Sequence, residues 1–216
     1  MIAMAALAGA GILAVFYWAW FCHAGESWAK SGVKTGSVLL LALAAWAAGG
    51  PGLLLVALLF CALGDYLLSR DSEAYFLAGV GAFAAGHMAY VGLFLRHAGA
   101  DARPVWIVTV LSAGFIVLGL FMATLLWRRA GTMRLPVLFY IPVILAMGWA
   151  ALGVPVVGAL ALVLPGALLF IASDFILALE VFVLSPEHRL RRAAPFAVWP
   201  TYWGAQALFT LAFTAS

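Results

Sequence analysis

The fold is decided by apolar stretches such as residues 104–127, which read PVWIVTVLSAGFIVLGLFMATLLW and contain no charged side chain. A helix of this length rises about 36 Å at about 1.5 Å per residue, which is enough to cross a hydrocarbon core about 30 Å thick. Pro104 suits the start of such a helix, because the first N–H groups of a helix have no acceptor within it. The stretch therefore predicts a transmembrane helix.

The rest of the chain has the same character. Hydrophobic residues make up 67% of its 216 residues and charged residues 9%, whereas a soluble domain carries about 25% charged residues. This composition predicts an all-α polytopic membrane protein in which residues 1–216 form a single bundle of about eight transmembrane helices. The net charge is only +3 and no run of five like charges occurs, so a nucleic-acid partner is not expected.

Turn signals divide the apolar sequence into helices. Pro165 and Gly166 lie inside the long seventh segment, where they predict either a kink or the true helix start. The eight helices are predicted over residues 2–22, 33–48, 52–68, 74–95, 104–127, 135–151, within 154–184, and 195–212.

The basic residues predict the orientation in the membrane. Nine of the 11 lysines and arginines fall in the first, third, fifth and seventh connections: Lys30, Lys34, Arg70, Arg128, Arg129, Arg134, Arg189, Arg191 and Arg192. Loops rich in Lys and Arg face the cytoplasm. The odd connections are therefore predicted to be cytoplasmic and both termini to lie on the non-cytoplasmic side. Short loops without a targeting signal favour a prokaryotic inner membrane.

Ionisable residues at membrane depth are the candidates for function, because each is costly to bury unless it is paired or hydrated. Asp65 is expected about one helical turn from the cytoplasmic end of the third helix, Asp174 deeper in the seventh, and His87 near the middle of the fourth. We expect these three to share a polar site that opens to the cytoplasm. Glu180 is expected to lie at the cytoplasmic end of its helix without a catalytic role. Companion residues are predicted to be Lys34, Tyr90, Tyr140, Tyr202 and Gln206.

Several chemistries can be weighed from these residues. A zinc site usually needs three or four ligands, and His87 is the single histidine predicted inside a span, so no metal is expected. No GxSxG motif is present to suggest a serine hydrolase. Two carboxylates suit acid–base catalysis, since one can stay protonated while the other is ionised. The same pair could relay protons in a transporter, and residue chemistry alone leaves these two readings open.

Four motifs carry a family resemblance. They are ALGDYLL at 62–68, a segment at 76–90 that ends FAAGHMAY, PGALLFIASD at 165–174, and TYWGAQ at 201–206. In this order and spacing the chain resembles the YhhN-like family of membrane proteins, the lysoplasmalogenases.

The resemblance implies an eight-helix fold that hydrolyses the vinyl ether bond of lysoplasmalogens. The products would be a fatty aldehyde and glycerophosphoethanolamine or glycerophosphocholine, and no cofactor would be needed. It also implies that Asp65 and Asp174 are the acidic pair, with Lys34, His87, Tyr90, Tyr202 and Gln206 around them to bind substrate. Tyr140 is not part of the resemblance, and its place in the middle of the sixth helix predicts that it lines the same pocket.

The roles within this site stay open at the level of sequence. A neutral Asp65 could donate the proton while an ionised Asp174 stabilises the cation, or the two roles could be exchanged. Lys34 could meet the substrate phosphate as a point charge, or it could be a lysine that only sets the topology. The alternatives are a hydrolase of another lysolipid on the same fold and a small transporter or lipid-binding protein.

Overall fold

The computed structural model describes residues 1–99 and 103–215, which form eight α-helices and two short 3-10 helices with no strand among them. The all-helical prediction is confirmed. The α-helices are α1 (Ile2–Trp20), α2 (Trp28–Ala47), α3 (Gly52–Leu68), α4 (Glu73–Arg96), α5 (Val105–Arg129), α6 (Arg134–Leu152), α7 (Val163–Phe182) and α8 (Arg189–Thr214). The 3-10 helices are Gly131–Met133, before α6, and Gly158–Leu162, before α7.

Within the described ranges 1–99 and 103–215, five helical segments are long and apolar enough to cross a membrane. They are Ile2–Trp20, Glu73–Arg96, Val105–Arg129, Gly131–Leu152 and Gly158–Phe182, and the apolar α3 is shorter. The outer surface carries many exposed large hydrophobic side chains, with Val117 and Leu120 of α5 exposed by 67% and 64%. An apolar exterior of this extent suits a lipid environment and not water.

Two helices begin several residues earlier than the sequence predicted. α2 begins at Trp28 and not at residue 33, because the Ser27 hydroxyl accepts a hydrogen bond from the Lys30 amide at 3.1 Å and caps the helix. α8 begins at Arg189 and not at residue 195, with His188 Nδ1 accepting from the Leu190 amide at 3.1 Å. The basic residues of these segments resembled loop charges in the sequence, although they belong to helices.

Prolines act differently in α7 and α8. Pro165 lies in the first turn of α7, so it marks the start of this helix and not a kink. Pro200 lies inside α8 and has no N–H to donate to the carbonyl of Phe196. Trp18 Nε1 donates to that carbonyl at 3.1 Å. The lost helical bond thus becomes a link between α1 and α8.

Two glycines let α3 and α4 pack closely and thereby position the site. A Cβ atom added at Gly64 would lie 2.7 Å from the Phe83 ring, and one added at Gly86 would lie 2.9 Å from Cys61 Sγ. Both separations are shorter than side-chain atoms tolerate, so the close helix contact depends on glycine. Asp65, which follows Gly64, is consequently held near the face of α4 that carries Phe83 and His87.

Candidate active site

A cavity of about 320 Å³ lies inside the bundle and is lined by Asp65 of α3 and Asp174 of α7. Every α-helix except α5 contributes to its wall. The other lining residues are Tyr17, Cys22, Lys30, Lys34, Leu68, Ser69, Phe76, Val80, Phe83, Val137, Tyr140, Ser173, Leu177, Ala178, Glu180, Val181, Phe182, Pro195, Val198, Trp199 and Tyr202. The cavity therefore joins both predicted acidic residues with Lys34, Tyr140 and Tyr202.

Asp65 is held by a cation and a hydroxyl. Its Oδ1 atom lies 3.2 Å from Lys34 Nζ, and its Oδ2 atom accepts a hydrogen bond from the Tyr202 hydroxyl at 2.7 Å. The Asp65 side chain is 1% exposed. A buried carboxylate needs such a partner, because an isolated ionised group is expensive to remove from water. This arrangement supports the ionised form of Asp65.

Asp174 has different partners. Its Oδ2 atom accepts a hydrogen bond from the Tyr140 hydroxyl at 2.5 Å, and no lysine or arginine lies within ion-pair distance of it among the described residues. The side chain is 17% exposed. Without a cationic neighbour, burial favours the neutral carboxyl group, whose proton is then available on Oδ1.

His87 lies directly behind Asp174. Its Nδ1 atom is 2.6 Å from the carbonyl oxygen of Phe83, and because a carbonyl only accepts, Nδ1 carries a hydrogen. In the neutral ring Nε2 therefore presents a lone pair. Nε2 lies 4.0 Å from Asp174 Oδ2 and has no hydrogen-bond partner among the described residues.

Tyr90 and Gln206, which the sequence also placed in the site, lie deeper than the cavity and do not line it. The Tyr90 hydroxyl donates a hydrogen bond to Gln206 Oε1, and both side chains are fully buried. Phe94 and Phe209 are fully buried beside them. The pair thus belongs to the packed floor beneath the reacting groups, with His87 between the floor and Asp174.

The other end of the cavity contains charges that sequence reasoning did not assign to the site. Lys30, Ser69 and Glu180 line the cavity at this end, where α2 begins and α3 and α7 end. Lys30 Nζ donates to the carbonyl of Ala24 at 2.6 Å. Lys30 precedes Lys34 by one helical turn, so the two share a helix face, and this spacing could have indicated a second lysine in the site.

The chemistry available is that of carboxyl, imidazole, phenol and ammonium groups. Among residues 1–99 and 103–215 no group of three or more His, Cys, Asp or Glu side chains is arranged to hold a metal ion. The three histidines other than His87 are at or beyond helix ends: His23 follows α1, His97 follows α4, and His188 precedes α8.

An all-helical protein with an apolar exterior and a charged internal cavity is an integral, multi-pass membrane protein. The model of the YhhN family matches residues 29–213 of this chain, and the chain belongs to the YhhN family.

Its relatives support that assignment. The chain is 32% identical over 212 residues to lysoplasmalogenase TMEM86A of Bos taurus, an alignment that covers 91% of this chain and 83% of the relative. It is 32% identical over 201 residues to lysoplasmalogenase TMEM86B of Homo sapiens, covering 91% and 80% of the two chains. Comparison with solved structures gives no match.

Proposed function

We propose that this chain is a membrane-embedded hydrolase that cleaves the vinyl ether bond of lysoplasmalogens with water, by carboxylate acid–base catalysis. The observation that carries the proposal is the pair of aspartates in one cavity, where Asp65 is paired with a lysine and Asp174 is not. The relatives named lysoplasmalogenase support the choice of substrate.

The different partners favour one assignment of the two roles. Asp174, neutral and bonded to Tyr140, is the proton donor, and Asp65, ionised beside Lys34, is the carboxylate that orients and deprotonates water. This is the second of the two arrangements that the sequence left open. The division of labour parallels that of the two carboxyl groups in an inverting glycosidase.

The reaction balances with these groups. Asp174 transfers its proton to the alkenyl carbon remote from oxygen, and the double bond becomes an oxocarbenium ion. Water adds to the carbon beside oxygen while Asp65 takes its proton. The resulting hemiacetal breaks its bond to the glycerol oxygen, which gives a fatty aldehyde and glycerophosphoethanolamine or glycerophosphocholine. Asp65 then releases its proton to water, and Asp174 regains one from water. His87 Nε2, which lies 4.0 Å from Asp174 Oδ2, can accept a proton from water and pass it to Asp174.

The polar end of the cavity fits a zwitterionic head group. Lys30 offers a cation for the phosphate, and Glu180 offers an anion for the ammonium group. Glu180 lies six residues after Asp174 on α7, which is about 9 Å along the helix axis. The path from a vinyl ether oxygen to the head-group nitrogen has nine bonds and spans about 10 Å at ordinary bond lengths. Lys34, by contrast, forms an ion pair with Asp65 and does not bind the phosphate in this proposal.

The basic residues at the same end of the cavity support a proposal for the orientation in the membrane. The α1–α2, α3–α4 and α7–α8 connections all lie there. We propose that all eight helices of the single domain 1–216 span a prokaryotic inner membrane, with these connections in the cytoplasm and both termini outside. Substrate would then enter with its head group at the cytoplasmic surface.

A transporter is the less favoured reading. Transport needs a path to both faces of the membrane, whereas beyond His87 the fully buried side chains of Tyr90, Phe94 and Phe209 pack together. The Phe94 and Phe209 ring centroids are 5.2 Å apart. A site with one polar end suits an enzyme whose substrate and products share one surface.

The test uses purified protein in detergent with lysoplasmenylethanolamine, and it follows fatty aldehyde. Wild type should release aldehyde, whereas Asp65→Asn and Asp174→Asn should not. In D₂O the aldehyde should carry one deuterium on the carbon next to the carbonyl, in excess of a control in which authentic aldehyde is incubated alone. Acyl and alkyl-ether lysolipids are assayed in parallel. Release of fatty acid without aldehyde would reassign the enzyme to another lysolipid, and no turnover of any substrate by folded protein would refute the proposal.

A further inference from the structure

A second apolar space adjoins the candidate active site. It lies between α5, α6 and α7, has a volume of about 50 Å³, and shares Val137, Tyr140, Asp174 and Ala178 with the main cavity. Its other lining residues are apolar: Leu118, Gly119, Met122, Leu126, Ile141, Ile144, Leu145, Ile171 and Phe175. We call this space the α5–α7 groove. Asp174 and Tyr140 thus stand where the polar cavity meets the groove.

Packing closes the alternative direction along the bundle axis. The rings of Phe83, Phe170 and Tyr202 pack edge to face at the deep end of the main cavity, with centroid separations of 5.2 to 6.5 Å. Fully buried Tyr90 and Phe209 lie behind them. A hydrocarbon chain attached to the reacting bond therefore finds no apolar continuation in line with the helices.

The packing of α5 differs from that of the other helices. Met122, Leu126, Ala130 and Val137 form a small apolar cluster that is separate from the main core of the bundle. On the opposite side of α5 from Met122, Leu120 is exposed by 64%. α5 joins the main core at Phe115 and this satellite cluster at Met122 and Leu126, and the apolar passage lies between the second part of its inner face and α6 and α7.

We propose that the α5–α7 groove binds the hydrocarbon chain of the substrate, on the far side of Asp174 from the head group. This inference rests on the proposed function and adds the chain-length site to it. The substrate would lie bent, with its head group near Lys30 and Glu180, its vinyl ether at Asp174, and its chain directed between α5 and α6. The side chains of Met122 and Ile141 in the groove wall then limit the length of the hydrocarbon chain that can bind.

The first test narrows the groove. In Met122→Trp, the indole should fill the passage and lower kcat/KM for an 18-carbon alkenyl substrate by at least about tenfold, with an 8-carbon substrate changed less than about twofold. The matched control is Leu120→Trp, which places the same side chain on the outer face of α5. Equal losses for both chain lengths, or the same profile in both variants, would overturn the inference. If wild type cleaves neither substrate, the proposed function fails and the groove is judged by the second test alone.

The second test needs no turnover. A non-hydrolysable alkyl-ether lysophosphoethanolamine with a diazirine at the chain terminus is photolysed with the wild-type protein, and the labelled peptides are sequenced. Labels should map to residues 118–126 and 137–145, and excess unlabelled alkyl-ether lysolipid should abolish them while bulk diacyl phospholipid should not. Labels on α1, α2 or α8, or labelling that the competitor does not reduce, would overturn the inference. The second outcome would assign the groove to bulk lipid.

Discussion

Lys34 Nζ lies 3.2 Å from Asp65 Oδ1, and this ion pair joins α2 to α3 at the wall of the cavity. The lysine side chain is 16% exposed and the aspartate side chain 1%. A charge as deeply buried as Asp65 depends on its partner, since the energy of desolvation is offset only by close pairing and further hydrogen bonds. Lys34 thus has its first role in keeping Asp65 ionised.

Replacing Lys34 tests that role. We expect Lys34→Met to lower aldehyde formation at least about a hundredfold and to destabilise the fold by about 3 kcal/mol, because Asp65 is left without its cation. The double variant Lys34→Met/Asp65→Asn should regain stability and stay inactive. Thermal unfolding and initial rates measure both quantities. A Lys34→Met variant with normal kcat and a raised KM would instead show that Lys34 binds the substrate phosphate.

The hydroxyl of Tyr140 should affect proton donation by Asp174 and not the stability of the fold. Tyr140→Phe removes the 2.5 Å hydrogen bond to Asp174 Oδ2, and we expect kcat to fall by about tenfold, which corresponds to the loss of one hydrogen bond of about 1.4 kcal/mol. Tyr75→Phe is the control, because Tyr75 is 44% exposed and lies outside the cavity. Unchanged kcat in Tyr140→Phe would remove this hydroxyl from the mechanism.

Much of the fold could be predicted because hydrophobic length and turn residues act locally. The bounds of α3 agree with the sequence prediction at 52–68. The predicted start of α2 at residue 33 was wrong, because Lys30 resembled a charge of a cytoplasmic loop. Placing Lys30 on the helix required knowing that the Ser27 side chain caps it.

The site could be predicted only in part. Asp65 and Asp174 stand out because charged groups are rare at membrane depth. Their companions Lys34, Tyr140 and Tyr202 were also predicted, but which aspartate each one contacts was not, since the Tyr202–Asp65 bond joins residues 137 positions apart and no helical period encodes it. The place of Glu180 in the cavity wall likewise depends on how α7 is rotated against its neighbours.

Tyr90 should matter to stability more than to chemistry. Tyr90→Phe leaves the buried Gln206 Oε1 without its donor, which should destabilise the fold by about 1–3 kcal/mol. We expect kcat measured well below the unfolding temperature to change by less than about threefold, because Tyr90 does not line the cavity and its loss acts on folding. Adding Gln206→Leu should recover part of the stability. A stable but inactive Tyr90→Phe variant would place this hydroxyl in the reaction.

Glu180 should select the head group. Glu180→Gln is expected to raise KM for lysoplasmenylethanolamine by about tenfold, which corresponds to loss of about 1.4 kcal/mol of binding. KM for the alkenyl glycerophosphate that lacks the amine should not rise, because this substrate has no cation to pair. Glu187→Gln in the exposed α7–α8 connection is the matched control. Equal increases for both substrates would show that Glu180 does not recognise the ammonium group.

The Glu26 carboxylate should make the stability of the protein depend on pH, because it links the α1–α2 connection to the α3–α4 connection. It accepts hydrogen bonds from the Asp71 amide at 2.8 Å and from Arg70 Nη1 at 2.9 Å. These bonds lower the pKa of Glu26 below its ordinary value, with the Asp71 amide the larger cause.

A lowered pKa in the folded state contributes stability that is present above the unfolded pKa of about 4.3 and is lost as pH falls through the folded value. Wild type should therefore unfold at a higher temperature than Glu26→Gln at pH 7, and the difference should shrink below about pH 4. Unfolding temperatures of both proteins across this range, with Glu187→Gln as the control, measure the effect. A difference of constant size down to the lowest pH would mean that packing of the Glu26 side chain, and not its charge, holds the α1–α2 and α3–α4 connections together.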